Sequence, residues 1–162
     1  YIEDIDWINW NPEEKSTLMF IICNERILLI HKKRGLGTGK INGPGGKIEL
    51  GERPIDCAIR ETREEVCVTP KNIDLSGELF FQFTDGLSIH CIVYCSNDFD
   101  GEPKETDEAI PFWCNIDDIP FSQMWEDDVT WFDYLISKTF FKAYYIFDGD
   151  QMLDARIELE EQ

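Results

Sequence analysis

Apolar runs of strand length alternate with short polar turns along most of the chain. Two of them, STLMFIIC and RILLIHK, are separated by Asn24-Glu25 and predict a hairpin. A second hairpin is predicted around Thr84-Asp85-Gly86, between LSGELFFQF and LSIHCIVYCS, because an Asp-Gly pair suits a tight turn. A further strand is expected in DEAIPFWC.

Two segments show helical periodicity instead. Between Arg53 and Val66 the apolar side chains share one face of a helical wheel, and Pro54 lies in the first turn, where proline is tolerated. The opposite face carries three glutamates at i, i+3 and i+4: Glu61, Glu64 and Glu65. A second helix is predicted in WEDDVTWFDYLISK, and FFKAYYIF, a DGDQ turn and MLDARIEL predict a closing hairpin.

The composition favours one globular domain with a substantial core. The chain has 162 residues, of which 43% are apolar, and no apolar run approaches the length of a membrane span. We place an acidic N-terminal extension at residues 1–15, with Trp7 and Trp10 either docked or frayed, and the domain itself at 16–162. No signal peptide is visible, so we expect a cytoplasmic protein, and a monomer.

Charge limits the possible partners. A net charge of −18 would repel nucleic acid and anionic membranes, so neither is expected as a partner. Residues 26–47 nevertheless hold six basic side chains and no acidic one, and they include the glycine-rich loop RGLGTGKINGPGGK, so this strip could bind an anion. The six cysteines lack CxxC spacing and are expected to be buried free thiols in a reducing compartment.

The three helix glutamates suggest a cation site. Carboxylates on one helical turn repel one another, and hard oxygen ligands without His or Cys suit Mg²⁺ or Mn²⁺ better than zinc. A solvated acidic helix face remains the alternative for this cluster taken alone.

The surrounding sequence matches a known pattern. From Gly46 the chain runs GKIELGERPIDCAIRETREEVCV, with six fixed letters at fixed spacing: Gly46, Glu52, Arg60, Glu61, Glu64 and Glu65. This segment resembles the Nudix box, and only its late glycine differs, being Cys67 here. That glycine helps the chain leave the helix, so Cys67 must adopt its backbone conformation at some cost.

The resemblance continues beyond the box. From about Ser16 to Ile157 the chain is similar to MutT-type Nudix hydrolases, which sanitise oxidised purine nucleotides; the shared stretches include KKRGLGTGKINGPGGK, TDEAIPFW and MWEDD. The resemblance implies an α/β (more closely α+β) protein with the Nudix fold, a mixed β-sheet sandwiched between helices. It implies hydrolysis of modified purine nucleoside triphosphates to monophosphate and pyrophosphate with Mg²⁺, or Mn²⁺ as an alternative, as cofactor.

The resemblance also implies roles for individual residues. Catalysis and metal binding would fall to Glu61, Glu64, Glu65 and Glu108, with Gly45 as a further metal contact. The predicted substrate-binding residues are Thr17, Lys32, Leu36, Asn42, Gly45, Gly46, Trp125, Asp127 and Asp128. Arg60 and Glu52 would form a salt bridge that braces loop against helix. Leu36 and Ile41 replace aromatic residues of the family, so we expect aliphatic packing on that side of the base.

Several alternatives stay open at this level. Asp127 and Asp128 could cap a helix, Trp125 could be a core or interface aromatic, and Asn42 could be a turn residue. The enzyme could instead hydrolyse dinucleoside polyphosphates, nucleotide sugars or 5′-triphosphorylated RNA. A nucleotide-binding module without hydrolysis is a third possibility, although such a module would be expected to lose the carboxylates.

Overall fold

The computed structural model describes residues 1–160. Its strands are β1 (Glu14–Cys23), β2 (Arg26–Lys32), β3 (Ile41–Asn42), β4 (Gly45–Lys47), β5 (Thr69–Phe83), β6 (Ser88–Asp100), β7 (Ala109–Asn115), β8 (Phe141–Asp148) and β9 (Gln151–Leu159). The helices are α1 (Pro54–Val66) and α2 (Asp128–Ser137), and short 3₁₀ turns occur at Ile2–Asp4 and Phe121–Gln123.

The strands form one mixed sheet. Its order is β3-β2-β1-β6-β5-β8-β9, with β4 paired to β1 and β7 paired to β2. The pairs β1/β6 and β5/β8 are parallel, whereas the three predicted hairpins, β1/β2, β5/β6 and β8/β9, are antiparallel. The sheet therefore confirms those hairpins and the predicted strand β7. The two short strands in the glycine-rich loop, β3 and β4, were not predicted.

Each face of the sheet packs against one helix. Along β1, Phe20 packs with Trp131 and Phe132 of α2, at ring-centroid distances of 5.8 and 5.1 Å. The neighbouring β1 residue, Met19, belongs to a second apolar cluster that includes Ala58 of α1. Because alternate strand residues point to opposite faces, the two helices lie on opposite sides of the sheet, as predicted.

The two helices differ in how well their limits were predicted. Helix α1 begins at Pro54, one residue later than expected, with Arg53 as its N-cap. The prediction for α2 was too long, because Trp125 to Asp127 precede the helix and only Asp128 of the aspartate pair lies inside it. Neither helix in residues 1–160 has the length and apolar character that a bilayer span requires.

The N-terminal segment is docked on the sheet rather than frayed. Ile2 is buried, and the Trp7 ring lies 5.0 Å from Tyr144 of β8. The Trp10 indole nitrogen donates a hydrogen bond to Gln82 of β5. Strand β1 begins at Glu14, so the last two residues that we placed in the extension already belong to the sheet.

All six cysteines of the described chain are free thiols, as expected. Their burial was only partly predicted: Cys57 and Cys91 are buried, Cys23, Cys95 and Cys114 are half-buried, and Cys67 is exposed. The exposed position follows from the end of α1, where Cys67 is the C-cap in the left-handed region at φ 67° and ψ 22°. Cys67 therefore adopts the backbone conformation that we predicted to be energetically unfavourable for a residue other than glycine.

Replacing Cys67 by glycine should stabilise the protein. The left-handed conformation costs a non-glycine residue about 1 kcal/mol, and an exposed side chain adds little packing in return. We expect the midpoint of thermal unfolding to rise by about 2–4 °C. As a control, Arg63→Gly inside the exposed face of α1 should lower the midpoint by a similar amount. A lower midpoint for Cys67→Gly would contradict this account.

Candidate active site

Arg60 of α1 ties the glycine-rich loop to the helix. Its guanidinium donates two hydrogen bonds to Glu52, of 2.8 and 3.0 Å, in a bidentate pair, and a third of 3.2 Å to the Lys47 carbonyl oxygen. Hydrogen bonding to Arg60 lowers the pKa of Glu52 to about 2. This is the predicted brace between loop and helix.

The loop can approach α1 closely because it has no side chains at two positions. A Cβ atom on Gly46 would lie 2.5 Å from the carboxyl carbon of Glu61, and one on Gly45 would collide with the Thr17 carbonyl group. Both glycines lie in β4, which pairs with the start of β1. The sequence therefore needs glycine here for space, and both φ values lie outside the left-handed region.

Three carboxylates meet beside this loop. One oxygen each from Glu61, Glu65 and Glu108 lies within 4.8 Å of the others. The first two come from successive turns of α1, and Glu108 immediately precedes β7. Glu64 of the same helix points elsewhere: its side chain is 51% exposed and accepts a hydrogen bond of 3.2 Å from Arg60. Of the four predicted carboxylate ligands, the structure brings three together.

The electrostatics of this cluster suit a divalent cation. Burial, and then the negative charge of Glu61, raise the pKa of Glu65 to about 8, and burial also raises the pKa of Glu61. Glu61 is paired with Arg60 at 2.9 Å, so the uncompensated charge lies mainly at Glu65, which tends to hold a proton; a bound cation would supply the missing charge. Three oxygen donors without nitrogen or sulfur match the preference of Mg²⁺ or Mn²⁺.

A single cleft of about 780 Å³ extends from Glu65 to the N-terminus of α2. All nine predicted substrate-binding residues line it: Thr17, Lys32, Leu36, Asn42, Gly45, Gly46, Trp125, Asp127 and Asp128. The cleft thus joins the carboxylate cluster to the aspartate pair across the β1–β5 region of the sheet.

Sequence reasoning missed much of the apolar lining. The additional wall residues include Leu79, Phe81, Phe83, Ile89 and Phe147. Alternation along β5 places Leu79, Phe81 and Phe83 on one face, and that periodicity was the available signal. One expectation was wrong: Ile41 is 2% exposed and packs in the core, so it does not line the cleft opposite the base. Leu36, at 49% exposure, lies at the rim.

The far end of the cleft combines an aromatic ring with two acids. Trp125 packs edge-on against Phe147, with ring centroids 5.7 Å apart. Asp127 and Asp128 are 2% and 3% exposed. Asn42 uses its side-chain oxygen to accept a hydrogen bond from the Gly43 backbone amide, so it serves a turn and lines the cleft as well.

The aspartate pair does not act as a helix cap. Asp127 occupies the N-cap position but makes no capping hydrogen bond through its side chain within residues 1–160; its Oδ2 accepts a bond of 2.8 Å from Trp131 Nε1 instead. Asp128 Oδ2 has no hydrogen-bond partner in the same range. Burial raises the pKa of Asp127 to about 6, and burial with the neighbouring negative charge raises that of Asp128 well above its usual value.

The fold and this site define a nucleotide-processing class, and comparison identifies it: residues 13–135 match the NUDIX domain model, so the chain belongs to the Nudix family. It is 40% identical over 140 residues to the oxidized purine nucleoside triphosphate hydrolase of Danio rerio, covering 85% of this chain and 88% of that protein. The Mus musculus protein of the same name is 36% identical, with coverage of 85% and 89%.

A solved structure shares the architecture. The MutT protein of Bacillus halodurans superposes with a TM-score of 0.80 at 25% identity, over 90% of this chain and 97% of that one. The 8-oxo-dGTP diphosphatase of Escherichia coli is 35% identical over 108 residues, which is 62% of this chain and 83% of that protein. These relatives confirm the Nudix fold, and Nudix hydrolases generally use divalent metal ions.

Binding of a divalent cation should release protons and depend on pH. Because the Glu65 pKa is about 8, this group is largely protonated at pH 6 and must ionise to bind metal. We expect Mg²⁺ affinity to rise up to about tenfold per pH unit towards pH 8 and then to level off. Calorimetry in buffers of different ionisation enthalpy measures the proton release. Glu65→Gln should abolish most of it, and pH-independent affinity in the wild type would contradict the prediction.

Proposed function

We propose that this protein hydrolyses oxidised or otherwise modified purine nucleoside triphosphates to monophosphate and pyrophosphate, with Mg²⁺ as its cofactor and Mn²⁺ as a substitute. The observation that carries the proposal is the cleft itself. It has a carboxylate cluster at one end and a buried, unequal pair of acids beside an aromatic ring at the other. The relatives named for this activity align over most of the chain.

The metal end would handle the triphosphate. When bound, divalent cations neutralise phosphate charge and lower the pKa of an attacking water. Glu61 and Glu65 would hold them, and Glu108 would serve as a ligand or as the base that takes the proton from that water. Lys32 lines the same cleft and adds a fixed positive charge for the phosphates. Because Gly46 has no side chain, the loop backbone packs directly against the Glu61 carboxyl group, beside the position proposed for the cations.

The other end would recognise the base. Trp125 offers a flat surface for stacking, and the phenylalanine wall excludes water around the purine. Oxidised purines differ from normal ones in where protons sit; 8-oxoguanine, for example, carries a donor at N7 where guanine has an acceptor. Two carboxyl groups that share one proton offer both a donor and an acceptor to such an edge.

The cellular setting belongs to the same proposal. We infer a monomer acting on small-molecule nucleotides in the cytoplasm, without nucleic acid or membrane partners. The net charge of −18 and the free thiols support this setting.

A turnover panel tests the assignment: modified and unmodified nucleoside triphosphates, dinucleoside polyphosphates, nucleotide sugars and 5′-triphosphorylated RNA, each with Mg²⁺. Preference for a substrate outside the modified purines would overturn it.

Removal of the cluster carboxylates should abolish turnover. Glu61→Gln and Glu65→Gln keep the shape but remove charge from the site that would hold the cations, so kcat should fall about a hundredfold or more. Base binding should change little, because the aspartate pair is at the other end of the cleft. Glu102→Gln, on the exposed surface, is the control.

Glu64→Gln is the informative third variant. If Glu64 stays against Arg60 in the working enzyme, its loss should cost less than that of Glu65. An equally large loss would mean that Glu64 leaves Arg60 to join the metal site. Near wild-type kcat for both Glu61→Gln and Glu65→Gln at saturating Mg²⁺ would refute the hydrolase mechanism.

Base choice should be separable from the metal site. Asp127→Asn and Asp128→Asn should each change the ratio of kcat/KM between 8-oxo-dGTP and 2-hydroxy-dATP by about tenfold or more, since an unpaired buried polar group costs about 1–3 kcal/mol. The kcat at saturation should change less than the ratio does. Equal losses on both substrates, together with a lower melting temperature, would show that the pair has a structural role only.

A further inference from the structure

One side chain behind the aspartate pair contacts it from the core. Trp131 of α2 is fully buried and lines no part of the cleft. Its indole nitrogen nevertheless donates a hydrogen bond of 2.8 Å to Asp127 Oδ2, one helical turn towards the N-terminus. This is a direct contact between the core and the base-recognition end of the cleft.

The contact treats the two acids unequally. Asp127 receives a hydrogen bond from a donor that cannot accept one, since the indole N–H has no lone pair to offer. Asp128 Oδ2 has no partner within residues 1–160 although its atoms are buried. A donor facing one carboxyl group favours the ionised form of that group. The shared proton is therefore directed to the neighbour that lacks such a donor.

We propose that Trp131 is a positioning residue for substrate choice: its N–H fixes the negative charge on Asp127 and leaves the proton on Asp128, which sets the order of acceptor and donor that the modified base meets. The inference rests on the proposed function for its substrate. The distribution of one proton over the two acids does not depend on that function, because it can be measured without a substrate.

Other titratable groups around the pair do not compete for this role. Cys91 of β6 and Tyr145 of β8 face it from the sheet, and burial raises the pKa of each, that of Cys91 to about 12, so both stay neutral near pH 7. Lys32 and Glu65 line the same cleft towards the metal end. Within residues 1–160, the carboxyl groups of the pair interact with each other, and Trp131 Nε1 is the one further side chain that donates to either of them.

The backbone beside the pair is held separately. Thr130 Oγ1 donates to the Asp127 carbonyl oxygen at 2.6 Å and lies 2.6 Å from the Tyr145 hydroxyl group. These bonds fix the start of α2 without contacting either carboxyl group. Thr130→Val therefore offers a matched control, because it loosens the same turn and keeps the Trp131 N–H.

The direct test follows the protonation of each acid. Protein labelled with ¹³C at the aspartate carboxyl carbon is titrated by NMR, with the two signals assigned through Asp127→Asn and Asp128→Asn. In the wild type Asp127 should ionise at the lower pH. In Trp131→Phe the Asp127 transition should move to higher pH, by one unit or more, because the favourable donor is lost. Thr130→Val should leave the order and the Asp127 transition unchanged.

Turnover supplies the second readout. Trp131→Phe should change the ratio of kcat/KM between 8-oxo-dGTP and 2-hydroxy-dATP by about fivefold or more, with kcat at saturation little changed. In a plot of kcat/KM against pH, the fall in activity on the acid side should occur at higher pH in Trp131→Phe than in the wild type. Phe132→Leu, which opens the same apolar core from the neighbouring position, should lower the melting temperature without moving the ratio. Site-specific replacement of Trp131 by benzothienylalanine removes the N–H while keeping the shape, and guards against a phenylalanine variant that folds poorly.

The outcomes separate the two proposals. If the Asp127 transition is the same in wild type, Trp131→Phe and the benzothienylalanine protein, the inference is wrong whatever the turnover. An equal shift of the substrate ratio in Phe132→Leu would likewise reduce Trp131 to a packing residue. If the NMR result holds but no modified purine triphosphate is hydrolysed, the proposed function fails and the role of Trp131 in the pair stands.

Discussion

Burial of carboxyl groups beside one another, with little compensating charge, is the constraint on which this structure depends. It occurs at both ends of the cleft, at Glu65 beside Glu61 and at Asp127 beside Asp128. At the metal end it raises the free energy of the ionised cluster until a cation is bound. At the base end it keeps a proton on the pair that no solvent-exposed acid would keep near pH 7. The same physical cause thus acts at the proposed cation site and at the proposed base site.

The scaffold has to resist the repulsion that this creates, and it does so asymmetrically. Around the helix, Arg60 bonds Glu52 and Glu61 and leaves Glu65 to the cleft. Around the aspartates, the support comes from one neutral donor, the Trp131 indole N–H, and from the aromatic core under α2. The first arrangement favours charged groups that can bind metal. The second favours groups that keep a proton, as the proposed recognition of a modified base would need.

The two ends of the cleft were predicted on different physical grounds. Spacing along one helix places Glu61 and Glu65 together from local geometry alone, and only Glu108 depends on tertiary structure. The glycines of the loop indicated that its backbone lies close to other groups. They did not indicate the short strands β3 and β4, because glycine has no side chain and so Gly45 and Gly46 cannot show the alternation that predicts a strand. The family resemblance placed Asp127 and Asp128 correctly in the cleft. Ile41 was placed wrongly because adjacent residues of a strand point to opposite sides: Asn42 lines the cleft, and Ile41 points into the core.

The missed residues show what a local pattern cannot supply. Trp131 is an ordinary apolar position on the helical wheel of α2, and nothing in its neighbours distinguishes a core tryptophan from one that donates to an acid. The three-dimensional structure makes the distinction. Asp127 is the N-cap residue of α2, one turn before Trp131, and its carboxyl group accepts the Trp131 hydrogen bond. A residue can therefore act on recognition without lining the cleft, provided that it controls the proton of a group that does. If Trp131 sets that proton as proposed, the apolar core under α2 takes part in base recognition.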